Sequence, residues 1–155
     1  MERKIVVTRE APDSPDASAL VLALEEHLAA RYPVESRHGY SVETLIEQNV
    51  AFFVARVDGV PAGCGGVQLV GTEFGELKRM WVDPAFRRLG LGRVILDQLA
   101  DHARAHGISV LRLETGVDQD AAIALYESFG FRRIPPFPPY YDDPLSLCFE
   151  ATIDS

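Results

Sequence analysis

The stretch from Gly75 to Gly92, Gly-Glu-Leu-Lys-Arg-Met-Trp-Val-Asp-Pro-Ala-Phe-Arg-Arg-Leu-Gly-Leu-Gly, constrains this chain more than any other. It begins as an apolar-rich strand and must stop at Asp83-Pro84, because proline lacks an N–H donor and restricts the residue before it. A short loop then carries Arg87 and Arg88, and Gly90 and Gly92 let the backbone turn tightly. From there Leu91, Ile95 and Leu99, flanked by Leu96 and Ala103, recur on one helical face, with Arg93, Asp97, Asp101 and Arg104 opposite. A strand, a glycine turn with two arginines and a helix start form an anion cradle. The first N–H groups of a helix have no internal acceptor, and the helix dipole adds positive potential at that end.

The remaining elements follow from hydrophobic period and turn residues. Ile5 to Arg9 reads as a strand. Ser14 reads as an N-cap with Pro15 at the first helical position, and Leu20, Val21, Leu24 and Leu28 carry a helix to Arg31. A short helix is expected over 41–48, then strands over 51–57 and 62–70 around the hairpin signal Asp58-Gly59. Gly63, Gly65 and Gly66 fall in the returning strand with no helix after them, so they read as a bulged strand where backbones approach closely. Phe74 to Val82 and Val110 to Thr115 read as two central strands joined by the long helix, which makes them parallel with a right-handed crossover. A helix over 118–129 closes at Gly130, and strands at 131–134 and 145–152 flank a stiff Pro-rich loop, Pro135 to Pro144. These elements make one α/β domain over residues 1–155, with a mixed sheet and helices on both faces.

Bulk properties narrow the function. A formal charge of −8 opposes a nonspecific nucleic-acid or anionic-membrane surface, since both are bound mainly through positive faces. Cys64 and Cys148, far apart and outside any Cys-x-x-Cys pattern, indicate neither a disulfide framework nor a thiolate zinc site. His102 and His106 share a helix face without an evident third ligand, so no metal is expected. With no apolar run long enough for a signal or a span, a cytoplasmic protein is expected. The sequence leaves a homodimer open.

A dinucleotide-binding turn competes for the cradle, because Gly90-x-Gly92 with Glu114 downstream nearly fits that pattern. Ile95 stands where its third glycine belongs, and several residues separate the strand from Gly90, where the dinucleotide turn is immediate. Arg87-x-x-Gly90-x-Gly92 after Met80-Trp81-Val82 instead resembles the coenzyme A signature of the GNAT superfamily of N-acetyltransferases. Leu125-Tyr126-Glu127-Ser128-Phe129-Gly130-Phe131 resembles the family's second signature. The two occur in the family's order and spacing.

That resemblance implies a GNAT fold in which the two parallel central strands splay apart and admit the pantetheine arm of acetyl-CoA. It implies cofactor contacts from Met80, Trp81 and Val82 and from the turn Arg87, Arg88, Leu89, Gly90, Leu91, Gly92 and Arg93. A strand without a neighbour has unpaired N–H and C=O groups that the arm's amides would satisfy, and an N–H near Met80 would stabilise a developing oxyanion. Tyr126 matches the tyrosine that donates to the departing thiolate; Ile123, Tyr126 and Phe129 are also spaced as a core stripe. Gln119 stands where the family often has Asn, seven residues before this Tyr.

Amine acetylation requires a neutral nucleophile, and two carboxylates are candidates for the base. Glu114, twelve residues before Tyr126, resembles the base of the ribosomal-protein alanine acetyltransferase, whereas Glu76 matches that of the histone acetyltransferases. Burial beside an acyl group raises a carboxyl's pKa toward working pH. Either residue could instead bind a cationic substrate. Cys64 lacks a positioned histidine, so direct attack is favoured over an acetyl-cysteine route.

The resemblance also places the acceptor site at two loops, supplying Arg37, His38 and Tyr40 from one side and Tyr140, Tyr141, Asp142 and Asp143 from the other. The expected activity is transfer of acetyl from acetyl-CoA to a primary amine of a small molecule. A protein N-terminal or lysine acetyltransferase and a non-catalytic coenzyme A sensor are the competing readings. The bulky Pro-rich loop ranks protein substrates below small ones.

Overall fold

In the computed structural model, residues 3–37, 40–141 and 143–153 are described. Seven strands form one mixed sheet: β1 (Ile5–Arg9), β2 (Ala51–Val57), β3 (Val60–Val70), β4 (Phe74–Val82), β5 (Val110–Gly116), β6 (Arg132–Ile134) and β7 (Ser146–Thr152). Their spatial order is β1-β2-β3-β4-β5-β7-β6. The four α-helices are α1 (Pro15–Ala29), α2 (Val42–Glu47), α3 (Leu91–Ala105) and α4 (Asp120–Phe129).

The local signals act where the sequence places them. Ser14 Oγ accepts from the Ala17 N–H at the start of α1, and Ser41 Oγ accepts from the Thr44 N–H at the start of α2. Asp58 and Gly59 both have positive φ, the conformation of a two-residue hairpin turn whose twist matches the strands it joins. Short 3₁₀ turns at Val34–Ser36 and Pro84–Phe86, absent from the sequence expectation, precede α2 and α3.

Two apolar layers sandwich the sheet. On one face α3 buries Leu91, Ile95, Leu96, Leu99, Ala100 and Ala103 against β-strand residues such as Phe53, Leu111 and Leu113. On the other, Ala17, Leu20, Val21 and Leu24 of α1 and Leu45 of α2 cover Phe52, Val54, Cys64 and Trp81. Gly65 is required by this packing, because a Cβ there would lie 2.5 Å from Met80 Sδ and 2.9 Å from Ile95 Cγ2. The close backbone approach expected of the β3 glycines is found at Gly63, where a Cβ would lie 2.8 Å from the Trp81 carbonyl oxygen.

Two irregularities shape the centre of the sheet. The parallel pair β4–β5 is in register only at Gly75–Leu111 and Glu76–Arg112, after which the strands part toward their C-terminal ends. In β4, three steps from Lys78 to Trp81 oppose two steps from Gly66 to Cys64, so β4 carries one extra residue, and Arg79 has φ +58°. This β-bulge resets the alternation of side chains.

Candidate active site

The cleft lies where β4 and β5 part. Its walls come from Lys78, Arg79 and Met80 of β4, Leu113 to Gly116 of β5, Gln119 at the N-cap of α4 and Tyr126 within it, and Leu24 and Leu28 of α1, with Tyr32, Arg37 and Tyr140 from loops. Because β4 and β5 run parallel, both end on the same side, and the turn into α3 leaves β4 there. The cradle and the cleft thus share one end of the sheet.

The cradle has the features an anion needs. Arg88 at φ +68° and Gly90 at φ +77° turn the chain into α3. Gly90 is the N-cap and offers no side-chain acceptor, so none caps the helix. A Cβ at Gly90 would meet nothing within 4 Å, so the turn is open, and Arg87 and Arg88 are exposed beside it. Leu89 and Leu91 face inward onto the α3 core. The Arg93 guanidinium is held by Asp97 at 3.2 Å and lies over the Phe129 ring at 4.8 Å, which ties the first turn of α3 to α4.

Within the cleft, β4 from Leu77 onward and β5 from Leu113 onward lack a strand partner across the gap. Met80 lines the gap, and Val82 packs on the α3 side. The Trp81 side chain points the other way, into the α1–α2 layer with the His27 ring 5.0 Å distant, and does not line the cleft. Gln119 spans α4 and α1: its Oε1 lies 3.1 Å from His27 Nε2, and its Nε2 donates to Tyr32 Oη at 3.4 Å. The Asp118 N–H donates to the same Tyr32 oxygen at 3.0 Å.

Tyr126 is buried on the α4 wall, edge-on to Phe131 at 5.7 Å. Burial, with the charge of Glu114 adding to it, pushes its phenol above the ordinary tyrosine value. Tyr126 is thus both a core residue and a cleft residue, and its proton is held firmly.

The two glutamates occupy different environments. Glu114 lines the cleft. Glu76 is only 6% exposed and lies outside the cleft wall, where its Oε2 accepts from Lys78 Nζ at 2.8 Å and from the Tyr140 hydroxyl. Lys78 Nζ also donates to Tyr140 Oη at 3.0 Å and sits 4.0 Å from the centre of the Tyr40 ring. Burial, followed by the Glu76 charge, raises the Tyr140 phenol strongly. The Lys78 site was not anticipated; its signal is that Lys78 stands two residues from Glu76, and a strand places such residues on one face.

Arg79 follows from the bulge. With one residue added, Arg79 joins Lys78 on the α1 side, where it pairs with Glu25 and donates from Nε to the Tyr40 carbonyl at 2.8 Å. Cys64, fully buried, donates to the Arg79 carbonyl at 3.3 Å, and burial raises its thiol well above the usual range, which disfavours a thiolate nucleophile.

The acceptor-side residues divide. Arg37 and Tyr140 reach the cleft wall. Tyr40 supports from behind, donating to Gln68 Oε1 at 2.9 Å. Tyr141 is 57% exposed and stands off the cleft. Asp143 accepts from Ser36 Oγ at 3.2 Å, joining the two loops, while His38 and Asp142 lie outside the described residues. His102 and His106 stack at 4.5 Å, and among the described residues no group of three metal-ligating side chains gathers.

The comparisons agree with this geometry. The model of the acetyltransferase (GNAT) family matches residues 17–131. An IAA acetyltransferase of Azospirillum brasilense is 43% identical over 151 residues, covering 96% of this chain and 98% of that one. The crystal structure of a candidate acyl-CoA N-acyltransferase from Klebsiella pneumoniae superposes with a TM-score of 0.82 at 34% identity, covering 97% of this chain and 98% of that chain. The ribosomal-protein-S18-alanine N-acetyltransferase from Escherichia coli gives 0.70 at 28% identity, covering 99% and 96%. On these matches the chain belongs to the GNAT family: it is an acyl-CoA-dependent N-acetyltransferase, and acetyl-CoA is its co-substrate.

Proposed function

We propose that the acceptor is a primary amine of a small molecule. The observation that carries this reading is the bonded wall, formed by described residues, at the acceptor end of the cleft. Tyr140 on the Pro-rich loop is bonded to Glu76 and Lys78, and Asp143 on the same loop accepts from Ser36 across the mouth. A wall held by a buried ion pair and two hydroxyls suits a compact acceptor better than an extended peptide, which needs an open groove. The likeness over nearly the whole chain to an IAA acetyltransferase fits this reading, while the likeness to the S18-alanine enzyme keeps a protein N-terminus as the competing one.

The cradle residues Arg87 to Arg93, with the unpaired edge of β4 at Met80 and Val82, fit a cofactor that carries a diphosphate and an amide-bearing arm. Acetyl-CoA supplies an activated acyl thioester. Glu114, on the cleft wall, takes the proton from the attacking amine, directly or through water. Glu76, with its carboxylate already holding Lys78 and Tyr140, serves as a structural anchor. Tyr126, protonated throughout the working range, holds a proton at Oη for the departing sulfur. A β4 backbone N–H near Met80, on the edge left without a β5 partner, would stabilise the negative charge developing on the acyl oxygen. Both cysteines are free and buried, as suits a reducing cytoplasm.

The test is thiol release from acetyl-CoA with a panel of free amines and, in parallel, peptides with free N-termini. Turnover with free amines supports the reading. Release with peptides alone overturns it, and tight cofactor binding without release from any acceptor points to the sensor.

A further inference from the structure

Most cations at the cleft are matched by neighbouring anions. Lys78 is held by Glu76 and Tyr140, and Arg79 by Glu25 and the Tyr40 carbonyl. Arg37 differs. It lines the cleft beside Ser36, its Nε is buried without an acceptor, and among the described residues its guanidinium makes no hydrogen bond or ion pair. A guanidinium N–H withdrawn from water without an acceptor is unfavourable, so the arrangement is completed by an anion. A carboxylate matches the guanidinium fork through two parallel hydrogen bonds.

Glu114 presents the opposite charge to the same cleft. The cleft therefore has a negative pole where the amine must lose its proton and a positive pole at its loop-covered side. We propose that the acceptor is an amino acid, with its amine directed to Glu114 and its carboxylate bound by Arg37. This rests on the small-molecule reading and narrows it. In the reaction the amine nitrogen forms a bond to the acetyl carbon as the carbon–sulfur bond breaks. The amine proton passes to Glu114, Tyr126 gives a proton to the departing sulfur, which leaves as the coenzyme A thiol, and Glu114 returns a proton to Tyr126 by way of solvent.

The experiment measures kcat/KM by thiol release for matched pairs of acceptors, each an α-, β- or γ-amino acid and its carboxamide. The expected result is that at least one acid exceeds its amide by about tenfold or more. Arg37→Met brings that ratio close to one, mainly through KM for the acid, and Arg37→Lys keeps part of it. Amides accepted as well as acids throughout would overturn the inference and leave the small-molecule reading intact. A preference that survives in Arg37→Met would also overturn it. Release with peptides alone would remove both. Should Arg37→Met fail to fold, the wild-type ratio still decides.

Discussion

The Tyr140 hydroxyl donates to the carboxylate of Glu76 across 64 residues of sequence, and this bond helps to hold the Pro-rich loop on the central strand. Lys78 closes the triangle from β4, and all three side chains are nearly excluded from water. Tyr140→Phe keeps the ring and leaves Glu76 and Lys78 short of a partner. A buried polar group left unsatisfied costs about 1–3 kcal/mol. The variant is expected to unfold at lower denaturant than wild type by that amount and to show a raised KM for the acceptor, with the cofactor Kd little changed. Equilibrium unfolding and isothermal calorimetry check the two halves.

The two glutamates predict different phenotypes. If Glu114 is the base, as proposed, Glu114→Gln is expected to lower kcat/KM by about 10²–10⁴-fold and to flatten its rise with pH. Glu76→Gln leaves Lys78 buried without its counter-charge, so its main effect is on stability, and breaking a buried pair from one side costs about 3–5 kcal/mol. Full pH–rate profiles beside thermal melts distinguish them; an unaltered profile in Glu114→Gln would remove that residue as the base.

Tyr126→Phe is expected to lower kcat without weakening acetyl-CoA binding, as read by single-turnover kinetics and calorimetry. The pH dependence has a definite sign. The phenols of Tyr126 and Tyr140 are raised in the folded state from a reference of 10.0, so the stability they contribute is complete below pH 10 and is lost as pH climbs beyond it. Each contributes a slope of about 1.4 kcal/mol per pH unit in that window. Melts from pH 9 upward should fall less steeply in Tyr126→Phe than in wild type.

Gly90→Ala tests the cradle without adding a clash, since a Cβ there meets open space. The cost is conformational, because φ +77° is unfavourable for an L-residue by about 1–2 kcal/mol. The turn is expected to relax, with a small drop in Tm and a several-fold larger Kd for acetyl-CoA. By contrast, Arg93→Ala loses its contacts to Asp97 and Phe129 and should affect α3–α4 packing as well as affinity.

Much of the architecture was legible because its signals are local. Ser14-Pro15, Asp58-Gly59 and the period of Leu91, Ile95 and Leu99 each dictate a conformation within a few residues. The separation of β4 from β5 was accessible only through the family resemblance. The bulge at Arg79 has no such signal, because arginine at positive φ is imposed by tertiary packing rather than by residue type. That hidden residue is why strict alternation fails beyond Lys78 and why Trp81 ends in the α1–α2 layer. Nor does sequence distinguish two adjacent tyrosines: Tyr140 turns inward to Glu76 and Lys78, while Tyr141 faces solvent. Sequence is equally silent on the convergence of Lys78 and Tyr140 on Glu76, the contact on which the proposed preference for Glu114 as the base rests.

Only two rungs of backbone pairing, at Gly75–Leu111 and Glu76–Arg112, stitch the β1–β4 part of the sheet to the part formed by β5, β7 and β6. The two parts of the sheet are thus joined by a short backbone seam and by the α3 core packed across it, and whatever fills the gap acts as mortar between their parted edges. Hydrogen exchange at the amides of Leu77–Val82 and Leu113–Gly116 should accordingly report occupancy more sensitively than the well-paired hairpins at the sheet's far edge.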